Sequence, residues 1–310
     1  MTKKTAVITN WLILLLILGF AAFIWWQSRT PEKATAVELS GNLPRGGNPL
    51  YEEVGSFNAD KVVQAFCVGD SLIYAAMERT LVIYTHTGAP VKEIRLEEPV
   101  SALRLYDDTL YVLHPGGLAR YTTSLQAIER WDPCSENAYY CDLAVGRNRV
   151  YISDAENKLI ATYTRSGNFD GFIQHPDRFT IPGTEFPLAE LNDTLYVGHS
   201  GTHKVERYTG KDQFINAFGR TGTAEGSFPG CCNPCGLDID QQQRILTAEK
   251  GLARVSRYTR EGKYDALLIS NLMLGKSHIA PLIAYKAPLL YLAHARKIAW
   301  YKEKSESHGK

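Results

Sequence analysis

Three of the chain's six cysteines lie within five residues, at Cys231, Cys232 and Cys235. Thiolates bind ions such as zinc and copper, and neighbouring thiols can be oxidised to a disulfide. The Cys232-x-x-Cys235 spacing suits a metal chelate or a redox pair, and Cys231 can form a vicinal disulfide with Cys232 or bridge to another loop. The sequence therefore leaves three roles open: structural disulfides, a metal or thiolate site, and a redox pair.

The other three cysteines have simpler contexts. Cys134 and Cys141 are seven residues apart in one predicted loop, and we expect them to form a disulfide with each other if this part of the chain lies outside the cytoplasm. Cys67 lies in the apolar run FCVG. A cysteine in such a run is typically a small buried apolar residue, so we predict no chemistry for it.

A repeat that occupies most of the chain must position these residues. An apolar strand is followed by another strand that ends in tyrosine, and the six copies end at Tyr84, Tyr121, Tyr163, Tyr208, Tyr258 and Tyr301. A period of roughly 43 residues with four short strands per copy is typical of a propeller blade. We therefore predict an all-β, six-bladed β-propeller with four-stranded blades over residues 51–304. A β-sandwich would not explain six copies.

The sixth copy ends after its third strand, so the ring needs a strand from elsewhere to close. The segment YEEVGSFN, residues 51–58, precedes the first complete copy. Because an open ring would expose an unpaired strand edge, we predict that residues 51–58 pair beside residues 299–302.

Two segments resemble NHL-repeat propellers. One is a glycine-spaced loop leading into a strand, with Phe218-Gly219, Gly222, Gly226-Ser227-Phe228, Pro234 and the strand 236–240; the other is the turn from Asp154 to Asn157. NHL-like propellers include protein-interaction modules, lactonase-like hydrolases and a peptide-amidating lyase with a histidine-bound metal. By this resemblance, His278 stands where the lyase pattern has a metal-binding histidine; the other two histidines of that pattern are missing.

Propeller geometry places two kinds of position at one rim, which we call the upper face. The first is the end of each second strand, where the repeat aligns Met77, His114, Asp154, His199, Glu249 and His294. These side chains are either ligands or, as we favour, residues that cap the following turn. The second kind is the loop that enters each first strand. It brings Glu185, the cysteine loop and His278 to the channel mouth.

These positions define a candidate binding or redox rim. We predict Cys231, Cys232, Cys235 and His278 as ligands of a zinc or copper ion, or the cysteines as a redox pair. Glu185 or Glu249 would carry protons in an enzyme built on this rim.

We predict that the N-terminal segment is a membrane anchor. Between Lys4 and Arg29 the chain carries no charge, and residues 6–26 are long enough to span a bilayer as a helix. A cleaved signal peptide is the alternative. We expect residues 1–5 in the cytoplasm, a tether over residues 27–50, the propeller in the periplasm or outside the cell, and a polar tail over residues 305–310.

Charge and composition limit the function classes. The chain has 34 Lys and Arg against 33 Asp and Glu, so it lacks the basic field that holds nucleic acid. Two classes remain. We favour a membrane-anchored binding or scaffold module with a protein or glycan ligand at its upper rim; the alternative is a metal-dependent or thiol-redox enzyme at the same rim.

Overall fold

The computed structural model describes residues 49–270, 273 and 279–305. Within these residues, 24 strands form six four-stranded antiparallel sheets. The predicted all-β, six-bladed propeller with four-stranded blades is confirmed. The predicted anchor, residues 6–26, lies outside the described residues. Within them, no helix combines the length and apolar character that crossing a membrane requires.

The first three blades follow one another along the chain. Blade 1 contains β2 (Ala65–Val68), β3 (Leu72–Met77), β4 (Thr80–Thr85) and β5 (Pro90–Arg95). Blade 2 contains β6 (Ala102–Tyr106), β7 (Thr109–His114), β8 (Gly117–Thr122) and β9 (Ala127–Trp131). Blade 3 contains β10 (Tyr140–Val145), β11 (Arg149–Asp154), β12 (Leu159–Thr164) and β13 (Phe169–Ile173).

The last three blades complete the ring. Blade 4 contains β14 (Leu188–Leu191), β15 (Thr194–His199), β16 (Lys204–Thr209) and β17 (Phe214–Phe218), with a short 3₁₀ turn, Ser200–Thr202, after β15. Blade 5 contains β18 (Gly236–Ile239), β19 (Ile245–Glu249), β20 (Arg254–Tyr258) and β21 (Tyr264–Ile269). Blade 6 contains β22 (Leu282–Lys286), β23 (Leu289–His294), β24 (Lys297–Glu303) and β1 (Tyr51–Asn58).

The core lies between neighbouring blades. Side chains of a strand alternate between its two faces, so each blade buries apolar residues against both neighbours. Among the described residues this gives six apolar clusters, one for each pair of adjacent blades. Tyrosines of the second and third strands supply the largest buried side chains. The repeated tyrosines of the sequence are therefore packing residues, which explains their recurrence in each copy.

The N-terminal strand closes the ring. β1 pairs antiparallel with β24, with Ser56 opposite Ala299 and Glu52 opposite Lys302. The predicted closure is confirmed. A bulge between Glu53 and Gly55 brings Gly55 against the Trp300 ring, where a Cβ would lie 2.3 Å from a ring carbon.

Six inner strands surround the axis: β2, β6, β10, β14, β18 and β22, each in contact with the next and the last with the first. Because the four strands of a blade are antiparallel and consecutive, the inner strands all begin at the same end of the ring. That end is the upper face, and it also carries the turns between second and third strands. The opposite end carries the turns between third and fourth strands.

Candidate functional site

A cavity of about 480 Å³ opens where the inner strands begin. All six blades contribute to its walls through residues at or just before those strands, among them Gln64, Ser101, Tyr139, Thr184, Cys235 and Ala280. The loops that enter the inner strands thus meet at one mouth. Strand direction, rather than sequence proximity, brings these six segments together.

Deeper along the inner strands, two carboxylates connect neighbouring blades. Asp142 accepts hydrogen bonds from the Arg104 guanidinium at 3.1 and 3.2 Å and from the Leu188 backbone N–H at 2.9 Å. Asp238 accepts one from the Tyr285 backbone N–H at 2.6 Å. Burial raises the pKa of both carboxyl groups, against the opposing effects of these donors and the Arg104 charge. These charges are satisfied within the protein and hold the ring together.

At the mouth, Glu185 forms an ion pair with Lys250. Glu185 comes from the loop that enters blade 4 and lines the cavity, whereas Lys250 directly follows β19 of blade 5. Burial alone would lower the pKa of Lys250, but the hydrogen bond and charge of Glu185 outweigh it and raise that pKa. The ion pair links blades 4 and 5 beside the cysteine loop. Glu185 thus lies at the channel mouth, where the sequence places it.

The cysteine loop brings two sulfurs together. The Sγ atoms of Cys231 and Cys232 are 3.2 Å apart. Cys231 is exposed, whereas Cys232 is 8% exposed. Burial, together with the hydrogen bond that Cys232 donates to Cys231, raises the pKa of Cys232 to about 11. Gly183 lies between Cys232 and Glu185: a Cβ atom added to it would be 4.0 Å from the Cys232 Sγ and 2.6 Å from a Glu185 carboxylate oxygen. The two thiols therefore adjoin the Glu185–Lys250 ion pair at the mouth.

Asn233 fixes the loop. Its buried amide donates hydrogen bonds to the carbonyls of Pro229 at 2.6 Å and Lys250 at 3.0 Å, and its Oδ1 accepts one from the Lys250 backbone N–H at 2.8 Å. One side chain thereby replaces the strand pairing that an irregular loop lacks. The positions of Cys231 and Cys232 follow from this clamp.

The other cysteines are separately placed. All six are free thiols in the structure. Cys235 lines the cavity and donates to the Ala248 carbonyl at 3.3 Å, and burial raises its pKa. Cys134 contacts the Tyr140 hydroxyl, and Cys141 donates to a backbone carbonyl and lines the cavity, so their disulfide stays a prediction. Cys67 is buried between blades 1 and 2, as its apolar context predicts.

Another predicted site residue, Glu249, is enclosed within blade 5. Glu249 is 0% exposed, and its carboxylate accepts hydrogen bonds from Arg254 and Ser256. Burial raises the pKa of Glu249 to about 7. The carboxyl group is thus closed off from solvent, and its role as a proton carrier stays a prediction. His278 lies outside the described residues, so its distance from Cys231 stays untested, as does the predicted metal site.

Of the aligned positions at the ends of second strands, Asp154 shows the capping role most clearly. Its Oδ1 accepts hydrogen bonds from the backbone N–H groups of Tyr139, Glu156 and Asn157, each at 3.1 Å. The Asn157 side chain donates to the other oxygen at 2.8 Å. The Asp-to-Asn turn of the sequence is therefore a structural device that holds the loop before β10.

Sequence reasoning missed one polar cluster, formed by His175, His199 and Glu206. It lies on the upper face between blades 3 and 4, and ligand atoms of the three residues lie within 4.8 Å of one another. His199 Nδ1 is 2.7 Å from Glu206 Oε1, and His175 Nε2 is 3.7 Å from the same oxygen. His199 stood among the aligned positions, but nothing in the sequence shows that Glu206, from the next strand, faces it.

The hydrogen bonds determine what this cluster holds. The Thr180 backbone N–H donates to His199 Nε2 at 2.7 Å, so the proton of neutral His199 sits on Nδ1 and points at Glu206. The Tyr208 hydroxyl also donates to Glu206, at 2.6 Å. Burial alone would raise the pKa of Glu206, but these donors outweigh it and lower that pKa. The cluster thus stabilises a buried carboxylate, and a cation bound by His199 Nδ1 would have to replace the proton on that nitrogen.

Comparisons with known proteins agree with the architecture. No protein-family profile and no curated protein matches the chain. Among solved structures, virginiamycin B lyase from Staphylococcus aureus matches with a TM-score of 0.58 and 13% identity, over 82% of this chain and 100% of that one. A streptogramin B lyase matches at 0.60 and 11%, over 83% and 100%.

A catalytically inactive variant of the S. aureus lyase with quinupristin matches with a TM-score of 0.59 and 12% identity, over 82% of this chain and 100% of that one. At these identities the likeness shows the fold alone. It supports the six-bladed propeller, whereas membership of the NHL-repeat family stays a prediction.

Proposed function

We propose that this protein is a binding module that holds a segment of a protein ligand at the mouth of the axial cavity. The observation that carries the proposal is the cavity itself, which all six blades surround. Apolar side chains of the upper-face loops stand exposed: Tyr139, which lines the cavity, is 45% exposed, and Val62 and Ile279, in loops that lead to lining residues, are 46% and 41% exposed. Exposed apolar residues around a concave site are typical of protein-binding surfaces.

The chemistry of the cavity favours an uncharged, partly apolar ligand segment. Its walls include Phe66, Val100 and Leu237, whereas its charged groups already pair with other groups of the protein, as Arg104 does with Asp142. A glycan is usually held by many polar groups that are free to bond its hydroxyls. A protein segment that inserts an aromatic or aliphatic side chain fits these walls better.

The proposal includes attachment to the membrane. Its support is the uncharged apolar run of residues 6–26 in the sequence. With the N-terminus inside, the propeller lies outside the cytoplasm. A reporter enzyme active only in the cytoplasm, fused to the C-terminus, is expected to be inactive; activity would contradict this orientation.

Selection of displayed peptides against the full-length protein in detergent tests the binding proposal. We expect enriched peptides to carry an aromatic or aliphatic residue and to lose at least about tenfold in affinity against Thr184→Trp. Thr184 is exposed and lines the mouth, so the larger side chain blocks the cavity without entering the core.

Thr87→Trp is the matched control, because Thr87 is exposed in the turn between β4 and β5, at the opposite end of blade 1. It should leave affinity unchanged. Equal affinity of the peptides for Thr184→Trp and the unmodified protein would overturn the proposal. So would selective binding of glycans, on an array, in place of peptides.

A further inference from the structure

We propose that Cys231 and Cys232 are a modification site: a dithiol that small-molecule disulfides, of the glutathione type, convert reversibly to a vicinal disulfide. The inference does not depend on the binding function. It is carried by the distance between the two sulfurs, their unequal exposure and the rigid support of their loop.

The sulfur separation fits disulfide formation better than zinc binding. The two Sγ atoms are 3.2 Å apart. A tetrahedral zinc ion with Zn–S bonds of about 2.3 Å would hold two sulfurs about 3.8 Å apart, and a disulfide holds them at about 2.05 Å. The observed distance is shorter than the zinc spacing, so oxidation requires a closing movement of roughly 1 Å.

Unequal exposure gives the two thiols different roles. Cys231 is exposed and follows Gly230, whose surroundings are open space, so a small disulfide can reach it. Cys232 is buried and has no such access. Access and thiolate character control the rate of thiol–disulfide exchange. Cys231 is therefore the attacking residue, and Cys232 is the residue that resolves the intermediate.

The surroundings favour closure once Cys231 has reacted. The hydrogen bond between the two sulfurs is one cause of the raised pKa of Cys232, because Cys232 donates its proton to Cys231. A mixed disulfide at Cys231 leaves a poorer acceptor there. The positive charge of Lys250 opposes the rise. Asn233 meanwhile keeps the loop fixed to the Pro229 and Lys250 backbone, which holds the two sulfurs side by side.

The exchange balances with glutathione disulfide as the oxidant. The Cys231 thiolate attacks one of its sulfurs, the S–S bond breaks, and one glutathione leaves as a thiolate that takes up a proton. The Cys232 thiolate then attacks the Cys231 sulfur of the mixed disulfide and releases the second glutathione. The two cysteines lose two electrons and two protons, and one glutathione disulfide becomes two glutathione thiols.

The competing reaction is a Cys232–Cys235 bridge, for which the sequence spacing is suitable. In the structure, Cys235 is hydrogen-bonded to the Ala248 carbonyl and buried, and burial raises its pKa. This thiol is less available than Cys231. Both bridges would lie in the tryptic peptide 221–244, which contains all three cysteines. The position of the remaining alkylated thiol distinguishes them, because it is Cys235 for the vicinal disulfide and Cys231 for the competing bridge.

The test exposes reduced full-length protein to glutathione disulfide and analyses peptide 221–244 by mass spectrometry after alkylation. We expect the unmodified sequence to lose two hydrogen atoms and keep one alkylatable thiol, at Cys235. Cys232→Ser should accumulate a glutathione adduct at Cys231. Cys231→Ser should stay unmodified over the same time, because Cys232 is buried.

Cys235→Ser is the matched control, and it should lose the two hydrogen atoms as the unmodified sequence does. The proposal fails if Cys235→Ser abolishes this loss, which would mean a Cys232–Cys235 bridge. It also fails if the unmodified sequence stops at a stable glutathione adduct, or if Cys231→Ser reacts as fast as Cys232→Ser. Cys232→Ala replaces Cys232→Ser if a buried hydroxyl unfolds the loop.

Discussion

Removing the Asn233 side chain should loosen the cysteine loop and lower the stability of the whole propeller. In Asn233→Ala, the carbonyls of Pro229 and Lys250 and the Lys250 N–H lose their partner. Each hydrogen bond contributes about 1 kcal/mol net, and the cost rises where a buried group is left unpaired. We therefore expect the free energy of unfolding to fall by about 3 kcal/mol, out of a total of roughly 5–15 kcal/mol.

The direction of the hydrogen bonds provides a sharper test. Asn233→Asp keeps the acceptor for the Lys250 N–H but places a carboxylate oxygen against two carbonyl oxygens. At neutral pH it should be at least as destabilised as Asn233→Ala. Below the ordinary pKa of aspartate, about 3.9, the protonated carboxyl can donate one hydrogen bond, and Asn233→Asp should then become the more stable of the two.

Urea titration followed by tryptophan fluorescence measures the loss of stability, and alkylation of the native protein measures exposure of Cys232. Both variants should alkylate Cys232 faster than the unmodified protein, because the clamp that keeps it buried is absent. An Asn233→Asp protein as stable as the original at neutral pH would refute the reasoning, since it would show that the amide does not act as a donor. A normal alkylation rate would show that Asn233 does not position the thiols.

The remaining predictions concern ring closure and the buried carboxylate. Gly55→Ala should lower the free energy of unfolding by about 1–3 kcal/mol in thermal or urea titrations, because the new Cβ meets the Trp300 ring. Gly116→Ala is the control: its new Cβ has its nearest contact at an ordinary 3.5 Å, so the loss should be much smaller. Equal losses in the two variants would contradict the packing argument. The folded-state pKa of Glu206 is lowered from 4.5, so its carboxylate contributes stability above about pH 4.5 that is lost as pH falls through the folded pKa. Glu206→Gln should therefore be less stable at pH 7 and show a shallower acid-induced loss, and an acid profile parallel to that of the unmodified protein would oppose this role.

The sequence predicts the fold well because each blade repeats the same packing problem. Tyrosines recur at the ends of third strands since each such strand buries a large side chain between blades, and the missing fourth strand of the last copy identifies β1 as the closing strand. Strand direction follows from the repeat, so the position of Glu185 at the mouth was also predictable. These are properties of alternation and chain order, which the sequence displays directly.

Side-chain partners at the upper face were less predictable. Glu249 aligns with rim positions, yet Arg254 from the next strand keeps it enclosed. The grouping of Glu206 with His175 and His199 depends on the connection between β13 and β14, which carries His175. Alignment of copies gives the position of a residue along its own blade, but its neighbours come from loops of different length. The clamp at Asn233 is of the same kind, because it joins its own loop to Lys250 on another segment of the chain.

The closing strand also sets the order in which the molecule can be completed. Glu53 of β1 accepts a hydrogen bond from Lys297 of β24, and the two residues are 244 positions apart in the sequence. Contacts between residues far apart in the sequence have a high entropic cost of loop closure and form late in folding. In addition, blades 1 to 5 are synthesised in full before β24 exists. Until then β1 has no partner, and an unpaired strand can join another chain instead. Completion of the C-terminal strand is thus the event that protects the ring from misassembly during synthesis.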